Sequence, residues 1–204
     1  MAALAETVVI ATGNPGKLRE MQVLLEGLGV GVVAQSELGV EPPEETGSTF
    51  VENALQKARH AAAATGLPAI ADDSGLVVPS LDGAPGIYSA RYAGPNATDE
   101  QNLQKLLSAL EGSTEREAYF HCAAVFVQSA DDPEPLIAEA SWHGAVTAER
   151  RGSGGFGYDP VFYDPASGQN AAELTAEQKN ARSHRGQAIR ALAELLYARF
   201  AASR

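Results

Sequence analysis

The order of segments along this 204-residue chain predicts an α/β fold with a mixed sheet. Short apolar runs rich in β-branched residues, which are typical of buried strands, alternate with segments whose apolar residues recur every three or four positions, as on one face of a helix. Two longer strand-like segments, Tyr119–Gln128 and Pro135–Trp142, follow each other across a short turn and are expected to be antiparallel neighbours. The length suits one domain or two small lobes.

The first strand is predicted at Thr7–Ala11, a run of β-branched and apolar residues. A turn rich in Gly, Asn and Pro follows at Thr12–Gly16. The next segment is expected to be a helix, because apolar residues spaced three or four apart define one face: Leu18, Met21, Leu25 and Leu28. Val30–Ala34 is predicted to be the second strand.

Two later helices are predicted from capping boxes, in which the side chains of two residues three apart bond to each other's backbone N–H. Thr49 with Glu52 is expected to start one helix, and Thr98 with Gln101 another. The last helix is indicated by apolar residues at helical spacing: Ile189, Leu192, Leu196 and Phe200.

The segment Asp72-Asp73-Ser74-Gly75 is expected to separate two strands, Leu67–Ala71 and Leu76–Val78. Adjacent carboxylates after an apolar strand are unfavourable unless they face water, a cation or hydrogen-bond donors. A carboxylate in this position is suited to hold Mg²⁺, to activate water or to do both. The alternative is a turn whose aspartates accept hydrogen bonds from backbone N–H groups.

The charge balance excludes one broad class of partner. The chain has 15 Lys and Arg residues against 26 Asp and Glu, a formal net charge of −11. A wide cationic surface is therefore not expected, and neither nucleic acid nor a membrane is expected as a partner. Lysine is scarce, so the positions of the four lysines are informative: Lys17, Lys57, Lys105 and Lys179.

Cysteine usage and the N-terminal segment predict a cytoplasmic protein. Cys122 is the single cysteine, so neither an intrachain disulfide nor a CxxC pair exists. The segment MAALAETVVIATG lacks the basic start and long apolar run of a secretory signal. No stretch of the sequence reaches the ~18 apolar residues that span a bilayer.

The turn from Thr12 to Lys17 (TGNPGK) joins a strand to a helix, and a helix N-terminus offers backbone N–H groups and a positive dipole end to an anion. It is not a Walker A loop, because only two residues separate Gly13 from Gly16 and Leu18 stands where Ser or Thr would bind the metal. Phosphate binding and a plain strand–helix connection with an exposed lysine are equally open at this point.

Two further segments carry charges that fit a phosphate or metal site. Glu44 and Glu45 lie in an acidic loop (EPPEETG), where either could supply a second metal ligand, although such a loop is more often only solvated. Lys57 lies on the helix that follows, where the alternative is an exposed helical lysine.

A glycine-rich segment (GSGGFGYDP) leaves the ring of Phe156 open to a flat stacking ligand such as a nucleobase. The alternative is a turn with that ring packed inward. Lys179, His184 and Arg185 then gather cationic side chains before the last helix, with Ser183 as its predicted N-cap. Base or phosphate recognition and a solvated capping segment are both open for these residues.

Six ordered blocks together resemble the inosine/xanthosine triphosphate pyrophosphatase family in its bacterial form: TGNPGK, EETGSTFVENALQKARH, AIADDSGL, GAPGIYSARYAG, GGFGYDPVF and SHRGQAI. The resemblance covers essentially the whole chain. It implies one two-lobed α/β domain over residues 1–204, with a long mixed sheet flanked by helices and an active site in the cleft. It also implies a homodimer that uses Mg²⁺ to hydrolyse ITP, dITP and XTP to the monophosphate and pyrophosphate.

Carried over onto this sequence, the resemblance assigns Asp73 as the catalytic carboxylate and a metal ligand. Glu44 or Glu45 would share the metal, and Glu44 is preferred. The phosphate end of the substrate would be bound by one group of residues: Thr12, Gly13, Asn14, Pro15, Gly16, Lys17, Lys57 and Ser74. The base would be bound by a second group: Phe156, Gly157, Tyr158, Asp159, Lys179, His184 and Arg185. Donors such as His184 or Arg185 would select the 6-keto group of hypoxanthine or xanthine over the amino group of adenine.

Three other interpretations stay open. A Maf-type pyrophosphatase would act on pyrimidine nucleotides, which Phe156 and the SHRG segment disfavour. A catalytically silent nucleotide-binding protein is disfavoured by the intact set of carboxylates and lysines. A nucleic-acid-binding role is disfavoured by the net charge of −11.

Overall fold

The computed structural model describes residues 7–27 and 31–201, and the chain divides into two compact units. The first unit contains the chain up to Asp73, Cys122–Ala140 and the chain from Arg185 onward. The second unit contains Ser74–His121 and Ser141–His184.

The described residues form seven strands: β1 (Val8–Ile10), β2 (Val32–Ala34), β3 (Ala69–Val77), β4 (Glu117–Val127), β5 (Leu136–Val146), β6 (Phe162–Asp164) and β7 (Gln169–Asn170). They are ordered β2-β1-β3-β4-β5-β6-β7 in one sheet. β1 pairs in parallel with β2 and β3, whereas β6 pairs antiparallel with β5 and β7. The predicted mixed sheet is therefore confirmed.

The same residues form five α-helices: α1 (Pro15–Gly27), α2 (Phe50–Thr65), α3 (Asp99–Ala109), α4 (Ala176–Arg182) and α5 (His184–Ala201). The capping boxes predicted for α2 and α3 are both present. Thr49 accepts a hydrogen bond from Glu52 N–H, Thr98 accepts one from Gln101 N–H, and the second side chain of each pair bonds back to the cap. Short-range polar contacts thus set where these helices begin.

The core of the first unit confirms the predicted apolar faces of α1 and α5. Met21 and Leu25 of α1 and Ile189 and Leu192 of α5 are fully buried in one cluster with strand residues. Leu28 lies outside the described residues, as does the side chain of Phe200. In the second unit, Leu103 and Leu106 of α3 pack in a cluster with three aromatic residues of the sheet: Phe120, Trp142 and Phe162.

The expectation that Asp72–Gly75 separates two strands is wrong, and the segment is not a turn. It lies inside β3, which runs without a break from Ala69 to Val77. Asp72 is 0% exposed and Asp73 5%. A strand can carry two buried carboxylates when cations and amide donors from other elements compensate their lost hydration. Those partners come from distant parts of the chain, so the local sequence did not reveal them.

Smaller differences concern one additional helix and the bounds of two strands. α4 was not predicted, and it carries Lys179. β5 continues to Val146, past the predicted end at Trp142. β2 begins at Val32, and the predicted start at Val30 lies outside the described residues. In the part of the chain that the structure describes, no helix is long and apolar enough to cross a bilayer.

Candidate active site

The turn between β1 and α1 is closed by Asn14. Its Oδ1 accepts hydrogen bonds from the N–H of Gly16 at 2.8 Å and of Lys17 at 3.1 Å, as an N-cap does. Pro15 takes the first helical position, where its missing N–H is not needed. Two N–H groups that were expected to face an anion are thus already bonded to Asn14, so the side chain of Lys17 is the strongest group here for a phosphate.

Lys17 lies at the end of the turn, next to the carboxylates of β3. Its ammonium is 3.3 Å from Oδ2 of Asp72 and 3.9 Å from Oδ1 of Asp73. Gly13 permits a close approach of the turn to the acidic loop, because a Cβ at this position would lie 2.7 Å from Cγ of Pro42. The turn therefore places one cation beside two acidic segments.

One polar row on α2 holds the acidic loop, and its residues have the spacing of a single helix face: Asn53, Gln56, Lys57 and His60. Asn53 Oδ1 accepts a hydrogen bond from the N–H of Gly47 at 2.8 Å. Gln56 Nε2 donates to the carbonyl oxygen of Glu44 at 2.8 Å. These bonds fix the backbone of the loop against the helix.

The ammonium of Lys57 joins two carboxylates. It donates to Oε1 of Glu45 at 2.8 Å and to Oδ1 of Asp73 at 2.9 Å. Burial by itself lowers the pKa of Lys57, but the negative charges of Asp73, Asp72 and Glu45 outweigh it and raise this pKa above its ordinary value. Lys57 is therefore a buried, permanently charged cation at neutral pH.

Asp73 is held at both of its oxygens. Oδ1 accepts from Lys57, and Oδ2 accepts from Nδ2 of Asn53 at 3.2 Å. A carboxylate fixed in this way has a defined direction in which its remaining lone pairs can meet a water molecule or a metal ion.

Asp72 and Arg185, both buried, lie at the centre of a second ion group. Oδ2 of Asp72 accepts from Nε of Arg185 at 3.1 Å, and Arg185 also pairs with Glu20 of α1. Burial by itself would raise the pKa of Asp72, but Lys17, Arg185 and Lys57 hold it well below its usual range. The prediction that Arg185 donates to a base stays a prediction.

A divalent metal ion fits the carboxylates around Lys57. Asp73 and Glu45 supply hard oxygen ligands and already share one cation, and Oδ1 of buried Asp72 accepts no hydrogen bond from the described residues. Within those residues, no group of three or more His, Cys, Asp or Glu is arranged to hold a metal alone. This donor set is typical of Mg²⁺, which uses one or two carboxylates and completes its shell with water and substrate phosphates.

The geometry favours Glu45 over Glu44 as the second acidic ligand. Glu45 reaches Lys57 with its carboxylate, whereas Glu44 is exposed and contributes its backbone carbonyl to α2. The preference for Glu44 stays a prediction.

In the second unit, Asp159 organises the residues predicted to bind a base. Its Oδ2 accepts from the N–H of Phe156 at 2.9 Å and from the ammonium of Lys179 at 2.6 Å. The same ammonium lies 4.8 Å from the centre of the Phe156 ring. Gly155 has φ +70°, and a Cβ there would come within 2.0 Å of Asp159 Oδ2. Only glycine permits this compact loop.

His184 and Tyr158 also belong to the second unit. The imidazole of His184 stacks almost parallel on the ring of Phe120, with centroids 4.7 Å apart and 8° between planes. The hydroxyl of Tyr158 donates to the carbonyl oxygen of Ser89 at 2.8 Å, and burial raises the pKa of this phenol. Ser74, half-buried, directly follows Asp73 along β3.

The structure thus groups the sequence-predicted residues by unit. Lys17, Lys57 and Asp73 meet in the first, and Phe156 and Lys179 meet in the second. Sequence reasoning missed four residues that hydrogen-bond to predicted site residues: Glu20, Asn53, Gln56 and Asp99. The polar row of α2 could have revealed two of them, because its spacing repeats every three or four residues.

Comparison with known proteins gives a consistent result. The model of the Ham1 family matches residues 8–195. A dITP/XTP pyrophosphatase of Pectobacterium atrosepticum is 59% identical over 193 residues, which cover 94% of this chain and 98% of the relative. The enzyme of the same name from Escherichia coli O157:H7 is 58% identical over 193 residues, with the same coverage of 94% and 98%.

Solved structures agree with the sequence relatives. A HAM1 protein from Coxiella burnetii is 52% identical with a TM-score of 0.86, and the match covers 94% of this chain and 98% of that one. The Ham1 protein of Staphylococcus aureus is 42% identical with a TM-score of 0.83, covering 95% and 100%. The predicted fold class, a mixed sheet flanked by helices, is confirmed.

Proposed function

This chain belongs to the Ham1 family, and we propose that it is a nucleoside triphosphate pyrophosphatase acting on dITP, ITP and XTP. Relatives that are 58–59% identical carry the name dITP/XTP pyrophosphatase. The observation that carries the proposal is the buried ammonium of Lys57 between Asp73 and Glu45, with Lys17 beside them. This group combines fixed cations with metal-binding carboxylates, as hydrolysis of a phosphoanhydride requires.

The first unit is proposed to bind the triphosphate. A nucleoside triphosphate carries about four negative charges near neutral pH, and cations must offset them as charge moves to the leaving pyrophosphate. Lys17 and Lys57 supply two fixed cations, and Asp73 with Glu45 would hold Mg²⁺. When bound, that ion neutralises phosphate oxygens as a Lewis acid.

Asp73 is proposed to orient the attacking water and to accept its proton. The water oxygen forms a bond to the α-phosphorus, and the bond from that phosphorus to the bridging oxygen breaks. The bridging oxygen leaves with the pyrophosphate, and the nucleoside monophosphate remains. Asn53 and Lys57 fix the carboxylate for this role from two sides.

The second unit is proposed to bind the base. The Phe156 ring offers a stacking face, and Lys179 adds a cation beside it. Donors such as Lys179 and His184 would pair with the 6-keto oxygen of hypoxanthine or xanthine. The 6-amino group of adenine would leave those donors without acceptors, which disfavours ATP.

The role of Asp73 is tested with Asp73→Asn, which keeps the shape of the side chain but removes the proton acceptor. We expect pyrophosphate release from ITP with Mg²⁺ to fall by ~10²–10⁴-fold, while calorimetry still detects nucleotide binding. Asp131→Asn, at an exposed turn of the same unit, is the matched control. Near-normal turnover in Asp73→Asn would contradict the assignment.

Base selection is tested by turnover on ITP, dITP, XTP, GTP, ATP, UTP and CTP under the same conditions. We expect ITP, dITP and XTP to be hydrolysed faster than ATP, because their 6-keto oxygen gives the donors of the second unit an acceptor that the 6-amino group of adenine does not. Equal rates on ATP and ITP would contradict the proposed base site. Preferred turnover of a pyrimidine triphosphate would instead favour a Maf-type activity.

Three remaining expectations complete the proposal. Mg²⁺ is proposed as the metal because the donor set consists of carboxylate oxygens.

A homodimer is proposed, which sedimentation velocity would test directly. A cytoplasmic location is proposed from the single, buried cysteine.

A further inference from the structure

The first turn of α3 contacts the glycine-rich loop that carries Phe156. Oδ2 of Asp99 accepts a hydrogen bond from the N–H of Gly157 at 2.8 Å, across 58 positions of sequence. In the preceding peptide, the N–H of Phe156 donates to Oδ2 of Asp159 at 2.9 Å. Two carboxylates therefore hold consecutive N–H groups on either side of the Phe156 side chain.

Asp99 is not needed to cap its own helix. Thr98 is the N-cap, and its side chain accepts from the N–H of Gln101 at 3.2 Å. The side chain of Gln101 in turn accepts from the N–H of Thr98 at 2.8 Å. With the capping box complete, the carboxylate of Asp99 is directed to the loop.

The contact matters because Gly157 has little intrinsic rigidity. Its φ is +61°, and nothing lies within 4 Å of the position that a Cβ would take. Glycine samples many backbone conformations. A hydrogen bond from its N–H to a helix-borne carboxylate therefore restricts the peptide that follows Phe156, and with it the direction of the ring.

We propose that Asp99 is a positioning residue that sets the ring of Phe156 for stacking on the purine base. This inference rests on the proposed base site and adds a residue of α3 to it. Asp99 touches no substrate in this arrangement, since it acts through the Gly157 N–H. Its removal should weaken binding of the base rather than slow the phosphate chemistry.

The test compares Asp99→Ala, Asp99→Asn, Glu100→Ala and Phe156→Ala by steady-state hydrolysis of ITP. Asp99→Ala loses the acceptor, so we expect KM to rise about five- to tenfold, as for loss of one charged hydrogen bond, with kcat changed less than about twofold. Asp99→Asn keeps an acceptor oxygen and should restore most of the affinity. Hydrogen exchange at the Gly157 amide should be faster in Asp99→Ala and normal in Asp99→Asn.

Glu100→Ala is the matched control, because it removes the same charge from the same helical turn. Glu100 pairs with Arg150 at 2.5 Å, but both side chains are exposed, at 64% and 40%, so KM should stay within about twofold. Phe156→Ala tests the base site itself and should raise KM by more than Asp99→Ala does.

The outcomes separate the two hypotheses. If Phe156→Ala raises KM and Asp99→Ala does not, the positioning role is overturned and the base site stands. If Phe156→Ala leaves KM unchanged, the proposed base site fails and the role of Asp99 fails with it. An equal rise in KM for Glu100→Ala, or a loss of melting temperature shared by Asp99→Asn, would assign the effect to charge or stability and would overturn the proposal.

Discussion

Lys57 and Lys179 are both buried beside an aspartate, yet their surroundings differ. Lys57 donates to Asp73 at 2.9 Å and to Glu45 at 2.8 Å, so its ammonium joins a carboxylate of β3 to one of the acidic loop. Lys179 donates to Asp159 at 2.6 Å and faces an aromatic ring. The first arrangement suits a polyphosphate bound with a metal ion, and the second suits a flat base with a carbonyl acceptor.

The residues proposed for the phosphates and those proposed for the base are also held in place by different kinds of interaction. The residues proposed for the phosphates lie on β3 and α2 and at the start of α1, and buried ion pairs join these elements. The residues proposed for the base lie largely on the loop between β5 and β6, which hydrogen bonds from its backbone N–H groups hold in place. Changes in the first region should therefore affect stability and turnover, whereas changes in the second should affect substrate affinity.

The largest effect is expected for Asp72→Asn, measured as the free energy of unfolding in urea. Removing one charge of a buried ion group leaves the others uncompensated, which costs about 3–5 kcal/mol. Asp164→Asn is the matched control, because Asp164 is equally buried but accepts from the backbone N–H groups of its own turn. An equal loss of unfolding free energy in the two variants would contradict the proposed difference between a carboxylate held by buried ion pairs and one held by backbone hydrogen bonds.

Next in size is Lys57→Met, for which we expect turnover of ITP to fall about 10²–10³-fold, as for loss of a fixed transition-state donor. Without nucleotide, the same variant should bind Mg²⁺ more tightly in calorimetry, because the ammonium no longer occupies Asp73 and Glu45. Lys105→Met, an exposed lysine bonded to the Tyr92 carbonyl, is the control. Unchanged or weaker Mg²⁺ binding in Lys57→Met would contradict the proposal that the Lys57 ammonium and the metal ion use the same two carboxylates.

A smaller and different effect is expected for Lys179→Met. KM for ITP should rise about tenfold, the equivalent of one buried charged contact, with a lesser change in kcat. The variant also leaves Asp159 without this cation, so melting temperature is measured alongside. A fall in kcat as large as that of Lys57→Met would contradict the proposal that Lys57 acts on the phosphates and Lys179 on the base.

The smallest effect concerns pH and follows from Asp72. Because its pKa is lowered in the folded protein, the ion group stabilises the fold above the ordinary aspartate pKa of about 4, and this contribution is lost as the pH falls further. The difference in unfolding free energy between the natural protein and Asp72→Asn should therefore shrink as the pH falls from about 5 to 2. A constant difference over that range would contradict the lowered pKa.

The elements that depend on neighbouring residues could be predicted. Thr49 with Glu52 and Thr98 with Gln101 mark helix starts within four residues, and Met21 and Leu25 define a buried face by spacing alone. The Asp72–Gly75 segment could not be predicted in this way. Adjacent acidic residues are unfavourable inside a buried strand unless cations lie beside them, and the sequence does not show that distant cations do so.

The sequence by itself determined the alternation of strands and helices, the capped starts of α2 and α3, and the residue types that suit a phosphate, a metal ion and a base. Only the tertiary structure decided that β3 continues through its two aspartates, that Glu45 rather than Glu44 meets Lys57, and that Asp99 holds Gly157. The physical reason is the range of the interactions. Helix caps and apolar periodicity act within a turn or two of the chain, whereas the ion pairs and hydrogen bonds of the site join residues that folding alone brings together.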